Sequence, residues 1–213
     1  MVPIPSKWKK YMVPLIVLTG PTTSGKSEAA LSLAEALETE IINADSLQVY
    51  RYFDIGTAKP GPEARERVRH HLIDILEPDE EFSAFDFKTR ALEIARNLQK
   101  QNRIPIICGG TGLYLRVLTQ DLDCAVQISP EIKEQVQTDL TRLGPQALHA
   151  RLQRIDPESA RKIQPTDPVR IERALSVFLQ TGQKLSGFHA DDDSALPFPV
   201  HTFLIERDRK ELY

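Results

Sequence analysis

Three features of the sequence predict an α/β fold, a parallel sheet flanked by helices and carrying a helical insertion. Short apolar runs alternate with amphipathic helical segments, a glycine loop follows the first run directly, and a polar helical stretch interrupts the pattern before it resumes. Pro14 to Thr19 (PLIVLT) is apolar, β-branched and bounded by Gly20, which reads as a buried strand. Ala30, Leu33, Ala34 and Leu37 then recur at helical spacing from Ser27 to Leu37. Glu40 to Ala44 (EIINA) is a second short strand, and residues 72–76 (LIDIL) offer a third. A helix from about Ser83 to Gln101 follows from the stripe Phe87, Ala91, Ile94, Ala95 and Leu98, and Arg103 to Cys108 reads as a strand stopped by Gly109-Gly110. From Pro130 to Thr181 the chain is Arg- and Gln-rich and helical in period, broken at Gly144-Pro145, Pro157, Pro165 and Pro168. Residues 186–199 read as an exposed loop, and Thr202 to Ile205 as a strand returning to the sheet.

Composition bounds the function. The 213 residues carry 27 Lys and Arg against 30 Asp and Glu, a net charge of −3 that by itself argues against a nucleic-acid partner. Hydrophobic residues at 41% mark a globular chain rather than a disordered one. Two cysteines, Cys108 and Cys124, make no disulfide framework, so a reducing, cytoplasmic setting is expected. The apolar runs are too short to span a membrane, and no N-terminal signal is expected.

The glycine loop carries chemistry. Gly20-Pro21-Thr22-Thr23-Ser24-Gly25-Lys26-Ser27 fits the phosphate-binding P-loop pattern, with the required strand before it and helix after it. Its glycines let backbone N–H groups converge on phosphate oxygens at a helix N-terminus. Lys26 adds a point charge, and the Ser27 hydroxyl suits Mg²⁺. The sheet is therefore expected to be of the P-loop NTPase type. A nucleotide hydrolase would also end an apolar strand in a metal-holding Asp, but the IPIIC run ends in Gly109-Gly110-Thr111. The other carboxylate is Asp45, followed by the short hydrogen-bonding residues Ser46 and Gln48. It suits a metal ligand, a proton acceptor or a turn cap, and the sequence leaves the three open.

At these residues the chain resembles the tRNA dimethylallyltransferases, the P-loop family that prenylates adenosine beside the anticodon. The matching segments are GPTTSGKS (20–27), NADSLQVYRYFDIGTAKP (43–60), HHLIDILEP (70–78), FSAFDF (82–87), IPIICGGTGLYL (104–115), DPESARKIQPTDPVRIERAL (156–175) and ERDRKELY (206–213). The resemblance implies that the loop holds the pyrophosphate of dimethylallyl diphosphate with Mg²⁺ on Ser27, while N6 of adenine at position 37 attacks the allylic carbon. It casts Asp45 as general base, Thr111 as donor to the leaving-group oxygen and Arg209 as a cation on the pyrophosphate. On the residues alone, a Thr after two glycines is also an ordinary helix N-cap, and an Arg near a chain end an ordinary surface charge. The resemblance further implies tRNA contacts at Asp45, Ser46, Leu47 and Gln48, at Val169, Arg170, Ile171, Glu172 and Arg173, and at Lys133. It implies a monomer divided into a core over 13–122, a helical tRNA clamp over 123–199, and a return strand opening the C-terminal part of the core over 200–213. Family members continue past DRKELY, so Tyr213 is expected to end the chain inside a longer architecture. The alternative is a P-loop enzyme acting on a small molecule, a kinase or an adenylate isopentenyltransferase, for which an Arg-rich helical insertion has little use.

The net charge averages unlike segments. Residues 74–86 hold six acidic side chains and no basic one, whereas Lys59, Arg65, Arg67 and Arg69 crowd residues 59–71. Residues 133–173 hold eight basic side chains against six acidic. RNA affinity follows local phosphate contacts, so the total does not exclude tRNA.

Overall fold

All strand pairings in the sheet are parallel. The strands are β1 (Leu15–Thr19), β2 (Ile41–Asn43), β3 (His70–His71), β4 (Ile106–Cys108) and β5 (Val200–Leu204), in the spatial order β3-β2-β4-β1-β5. This computed structural model describes residues 13–119, 126, 128–188, 196 and 198–207. Strand alternation sorts the apolar side chains onto two faces. Leu15, Val17, Ile42 and Ile107 face α3 (Ala84–Lys100) and α4 (Gly112–Thr119), while Leu18, Ile41 and Ile106 face α1 (Lys26–Ala36). Burial on both faces explains why these strands read as continuous apolar runs rather than alternating ones. The helix α3 starts with a capping box, Ser83 and Asp86 satisfying each other's backbone N–H groups, and its Phe87 ring stacks on Tyr114 of α4 with centroids 4.5 Å apart.

The expected strand over residues 72–76 is not there. Strand pairing stops at His71, and Leu72 and Asp74 take left-handed backbone conformations (φ 59° and 54°). The reason is a charge cluster. Asp74 bonds Lys59 at 2.7 Å and Arg65 at 2.6 Å, pulling the chain away from the sheet edge. The Lys59 side chain is only 2% exposed and also bonds Asp54 and the Tyr50 carbonyl. Burial acts to lower its pKa, but the bonds to Asp54 and Asp74 reverse the effect and raise it. Arg65 and Arg67 lie on a short helix, α2 (Pro62–Arg67), that the sequence pattern did not reveal. Arg67 pairs with Glu35, so three of the four basic side chains of residues 59–71 take part in internal pairs.

The chain divides into two units, Met1–Asp121 with Asp193–Tyr213, and Leu122–Asp192. The expected helical insertion ran on to 199; instead Leu196 and Phe198 pack in the core around β1, with Phe198 6% exposed. The rest of the expected 186–199 loop, from 189 to 195 and at 197, lies outside the described residues, as do the N-terminal lead-in and Cys124. The helical unit contains α5 (Pro130–Leu143), α6 (Pro145–Ile155), α7 (Pro157–Lys162), α8 (Pro168–Thr181) and a 3-10 turn at Leu185–Gly187. Three of the predicted breaks are helix starts. Each of these four helices opens with Pro at its first position, behind Ser129, Gly144, Asp156 or Asp167. Asp156, 1% exposed, accepts from Ser159 N–H and Oγ–H and from Ser186 N–H, tying α7 to the 3-10 turn.

Burial works to raise the Asp156 pKa, but these bonds outweigh it and hold the carboxyl at about 2, below its ordinary 3.8. The stabilisation, about 2 kcal/mol, is therefore complete above about pH 5 and is lost as pH falls through the folded value. Asp156→Asn is expected to be less stable than the unsubstituted protein at pH 6, and urea denaturation should show the gap closing as pH approaches 2.

Candidate active site

The carboxyl ends of β1, β2 and β4 bring together the three segments that the sequence singled out, as expected of ligand sites in open α/β sheets. The loop from Gly20 to Ser27 joins β1 to α1. Gly25 holds the N-cap position of α1 in a left-handed conformation, φ 89°, which only glycine adopts without strain. Lys26 Nζ donates to the Pro21 carbonyl at 3.0 Å, folded over its own loop. Thr22, Thr23, Gly25, Lys26 and Ser27 line a cavity of about 370 Å³ whose other walls include Asn43, Asp45, Gln48 and His70.

Thr111 meets the neighbours of Asp45, Ala44 and Ser46, because the paired strands β2 and β4 end side by side. Ala44 N–H donates to the Cys108 carbonyl at 2.8 Å, and Thr111 N–H to the Ala44 carbonyl at 3.2 Å. A Cβ on Gly109 would lie 2.2 Å from that Ala44 oxygen, so glycine is required by proximity. Thr111 stands one residue before α4, but its hydroxyl does not cap the helix. It accepts from Ser46 N–H at 2.9 Å and donates to the Ser46 hydroxyl oxygen at 3.4 Å. Of the three candidate roles of Asp45, the turn cap is the one the geometry shows. Its Oδ1 accepts from Leu47 and Gln48 N–H at 2.9 and 3.3 Å, capping the turn, while Oδ2 has no partner among the described residues. One carboxylate oxygen thus orients the group and the other is open to chemistry.

Several neighbours shape this site. Gln48 is 7% exposed and spends both amide hydrogens on the Thr57 and Ala58 carbonyls, so only its carbonyl oxygen is left for a ligand. His70, to which the sequence reading gave no role, bonds the Val68 carbonyl through Nδ1 at 2.8 Å. That contact makes Nδ1 the donor and Nε2 the acceptor, and burial lowers its pKa despite the Val68 bond. Its segment HHLIDILEP was the signal available. Cys108 is no nucleophile, because burial pushes its thiol up to about 11 against the pull of Lys26. Arg209 lies outside the described residues, but Arg207, passed over in the sequence, sits beside Gly25.

The remaining candidates are on the helical unit. Lys133 lies on α5, and Val169, Arg170, Glu172 and Arg173 occupy the first turns of α8. Arg170 pairs with the N-cap Asp167, and Arg173 donates to the Val126 carbonyl at 3.1 Å. Ile171 has to be withdrawn as an RNA contact. It is 0% exposed in the helical core, where its side chain packs with Leu148, Leu152 and Leu175.

A family model described as IPP transferase matches residues 48–213. The chain belongs to the IPP transferase family. It is 46% identical over 201 residues to a tRNA dimethylallyltransferase of Thioalkalivibrio sulfidiphilus, which covers 93% of this chain and 63% of that protein. A tRNA dimethylallyltransferase of Syntrophobacter fumaroxidans is 43% identical over 204 residues, 94% of this chain and 59% of its own. Among solved structures, a tRNA delta(2)-isopentenylpyrophosphate transferase from Staphylococcus epidermidis aligns with TM-score 0.58 and 39% identity, covering 94% of this chain and 66% of that one. A eukaryotic dimethylallyltransferase acting on tRNA aligns with TM-score 0.75 and 28% identity, covering 90% and 48%. This IPP transferase chain thus spans roughly three fifths of the length of the curated relatives it matches. Its five-stranded parallel sheet with flanking helices is of the P-loop NTPase type.

Gly109→Ala tests the strand contact that assembles the site. The added Cβ has only backbone to displace, so Ala44 and Asp45 must move away from Thr111. Calorimetry should show a lowered melting temperature, and transferase activity should fall at least ~100-fold, the cost of misplacing reacting groups by about 1 Å.

Proposed function

We propose that this protein transfers the dimethylallyl group of dimethylallyl diphosphate to N6 of the adenosine beside the anticodon, position 37 of tRNA, acting as a monomer in the cytoplasm. The observation that carries the reading is an Asp45 carboxylate oxygen left open on the wall of the cavity that the glycine loop lines, with Thr111 bonded to the next residue, Ser46. Phosphoryl transfer would call for a carboxylate at the end of β4, where this chain has two glycines.

In the reaction the N6 lone pair forms a bond to the allylic carbon as the carbon–oxygen bond breaks. The electron pair of that bond leaves with diphosphate, and the N6 proton passes to Asp45. Negative charge grows on the leaving group, so the chain's task there is electrostatic. Backbone N–H groups of residues 22–27 and the α1 N-terminus face it, and Lys26 exchanges its neutral Pro21 contact for a stronger charged one. Thr111 is placed to donate: its oxygen accepts from Ser46 N–H, and its hydroxyl proton, held only by a long 3.4 Å bond to the Ser46 hydroxyl, can be redirected to the leaving-group oxygen. Arg209 would add a further cation. Ser27 is exposed in the first turn of α1 and its hydroxyl bonds no described residue, which fits a metal ligand. No cluster of three His, Cys, Asp or Glu able to hold a metal occurs among the described residues, so Mg²⁺ would be held by Ser27 together with phosphate oxygens. Bound there, it supplies positive charge to the departing diphosphate.

Recognition of tRNA falls to both units. Asp45, Ser46, Leu47 and Gln48 address an adenine taken out of its stack, with Gln48 acting through its carbonyl oxygen. Lys133, Val169, Arg170, Glu172 and Arg173 contact the anticodon stem-loop. No helix among the described residues is long and apolar enough to cross a membrane.

Incubation with labelled dimethylallyl diphosphate, Mg²⁺ and either tRNA or AMP separates this reading from a small-molecule enzyme. Label is expected in tRNA; label in AMP alone would sink the proposal. Asp45→Ala is expected to cut transfer at least ~100-fold, the usual scale for a general base. Its pyrophosphate affinity should stay within about twofold by calorimetric titration. Loss of pyrophosphate binding instead would make Asp45 a metal-site residue.

A further inference from the structure

Strand β5 does more than close one edge of the sheet. It runs in register with β1 from Leu15–Val200 to Thr19–Leu204, and the ladder continues one residue further, with Ile205 N–H donating to the Thr19 carbonyl at 2.8 Å. That register lays residues 205–207 along the phosphate loop. The Ile205 carbonyl oxygen lies 2.3 Å from where a Cβ on Gly20 would stand, and an Arg207 guanidinium nitrogen lies 3.2 Å from where one on Gly25 would stand. The missing side chain at Gly25 therefore leaves the space that the guanidinium uses, next to the N-terminus of α1.

The electrostatics of this arrangement are incomplete. Arg207, the positive end of α1 and the Lys26 ammonium gather around one loop, and these like charges repel. Arg207 makes no ion pair or hydrogen bond with any described residue. Glu28, the one acid in the first turn of α1, forms no salt bridge with it. An anion between the guanidinium and the loop amides would turn repulsion into attraction. A planar guanidinium is suited to two oxygens of a diphosphate at once.

We infer that Arg207 is a diphosphate-binding residue, a cation that β5 delivers to the leaving group from the side opposite the glycines that follow β4. The inference rests on the proposed role of loop 20–27 as the diphosphate holder. It is separate from Arg209, which belongs to the DRKELY segment, and it concerns ground-state binding as well as departure. Arg207 makes the β1–β5 pairing part of the site, since a slip of the strand by one residue would point the side chain away.

Calorimetric titration with inorganic pyrophosphate and Mg²⁺ tests this without turnover. Arg207→Gln is expected to weaken pyrophosphate binding about tenfold or more, and Arg207→Lys about threefold, because the ammonium keeps the charge and loses the paired bonds. Arg96→Gln, an exposed position on α3, should change nothing. In steady state, Arg207→Gln should raise KM for dimethylallyl diphosphate and leave KM for tRNA unchanged. Pyrophosphate affinity within twofold of the unsubstituted protein in both Arg207 variants would overturn the assignment. Failure of the unsubstituted protein to bind pyrophosphate would instead remove the diphosphate reading of the loop itself. If Arg207→Gln melts early, Arg207→Lys carries the comparison: weaker pyrophosphate binding supports the inference, and unchanged binding refutes it.

Discussion

The carbonyl oxygen of Ala44 occupies space that a side chain on residue 109 would need, and the active site is organised by that contact. Two neighbouring parallel strands end within hydrogen-bonding distance of each other, Ala44 N–H reaching Cys108 and Thr111 N–H reaching Ala44. Everything downstream of the two strand ends is then placed by the backbone. Asp45 and Ser46 leave β2 on one side and Thr111 leaves β4 on the other, with Ser46 N–H locking the threonine hydroxyl between them. Gly110 follows close to Lys26, and the phosphate loop joins the same cluster. Groups held by backbone contacts at sheet ends need little reorganisation, which is the condition that the proposed stabilisation of a leaving group requires.

Charge in the sheet unit is divided between internal pairs and open ligand sites. Lys59, Arg65 and Arg67 are committed to Asp54, Asp74 and Glu35, and they hold the segment that contributes Thr57, Ala58 and Pro60 to the cavity wall. Lys26 has only a neutral carbonyl for a partner, and Arg207 has none among the described residues. A count of charges along the chain cannot separate these classes, because the pairing depends on partners up to 63 residues apart in sequence. Most of the basic side chains of residues 59–71 form a structural clasp.

Sheet and helices were legible where the governing physics is local. The apolar runs at β1, β2 and β4 and the stripe of α3 follow from burial on known faces. Pro130, Pro157 and Pro168 open helices, each behind a Ser or Asp whose side chain caps the first turn, whereas Pro165 starts none. The reading failed at residues 72–76, where an apolar run has strand composition but leaves the sheet under the pull of Asp74 on Lys59 and Arg65. It also failed at Ile171, carried into the RNA-contact set with its neighbours although it faces the helical core. Both errors concern contacts that no local pattern records.

By itself the sequence determined the phosphate loop, its strand and helix, and the candidacy of Asp45 and Thr111, because glycine spacing and residue type dictate what a backbone can cradle. It left open whether Asp45 caps a turn and whether Thr111 caps a helix. Only the tertiary structure decided these points: Asp45 caps with one oxygen and frees the other, and Thr111 turns from its own helix to Ser46. It also brought Arg207 to Gly25 through the register of β5. Each decision rests on a contact between residues distant in sequence, and such contacts exist only once the strands have paired.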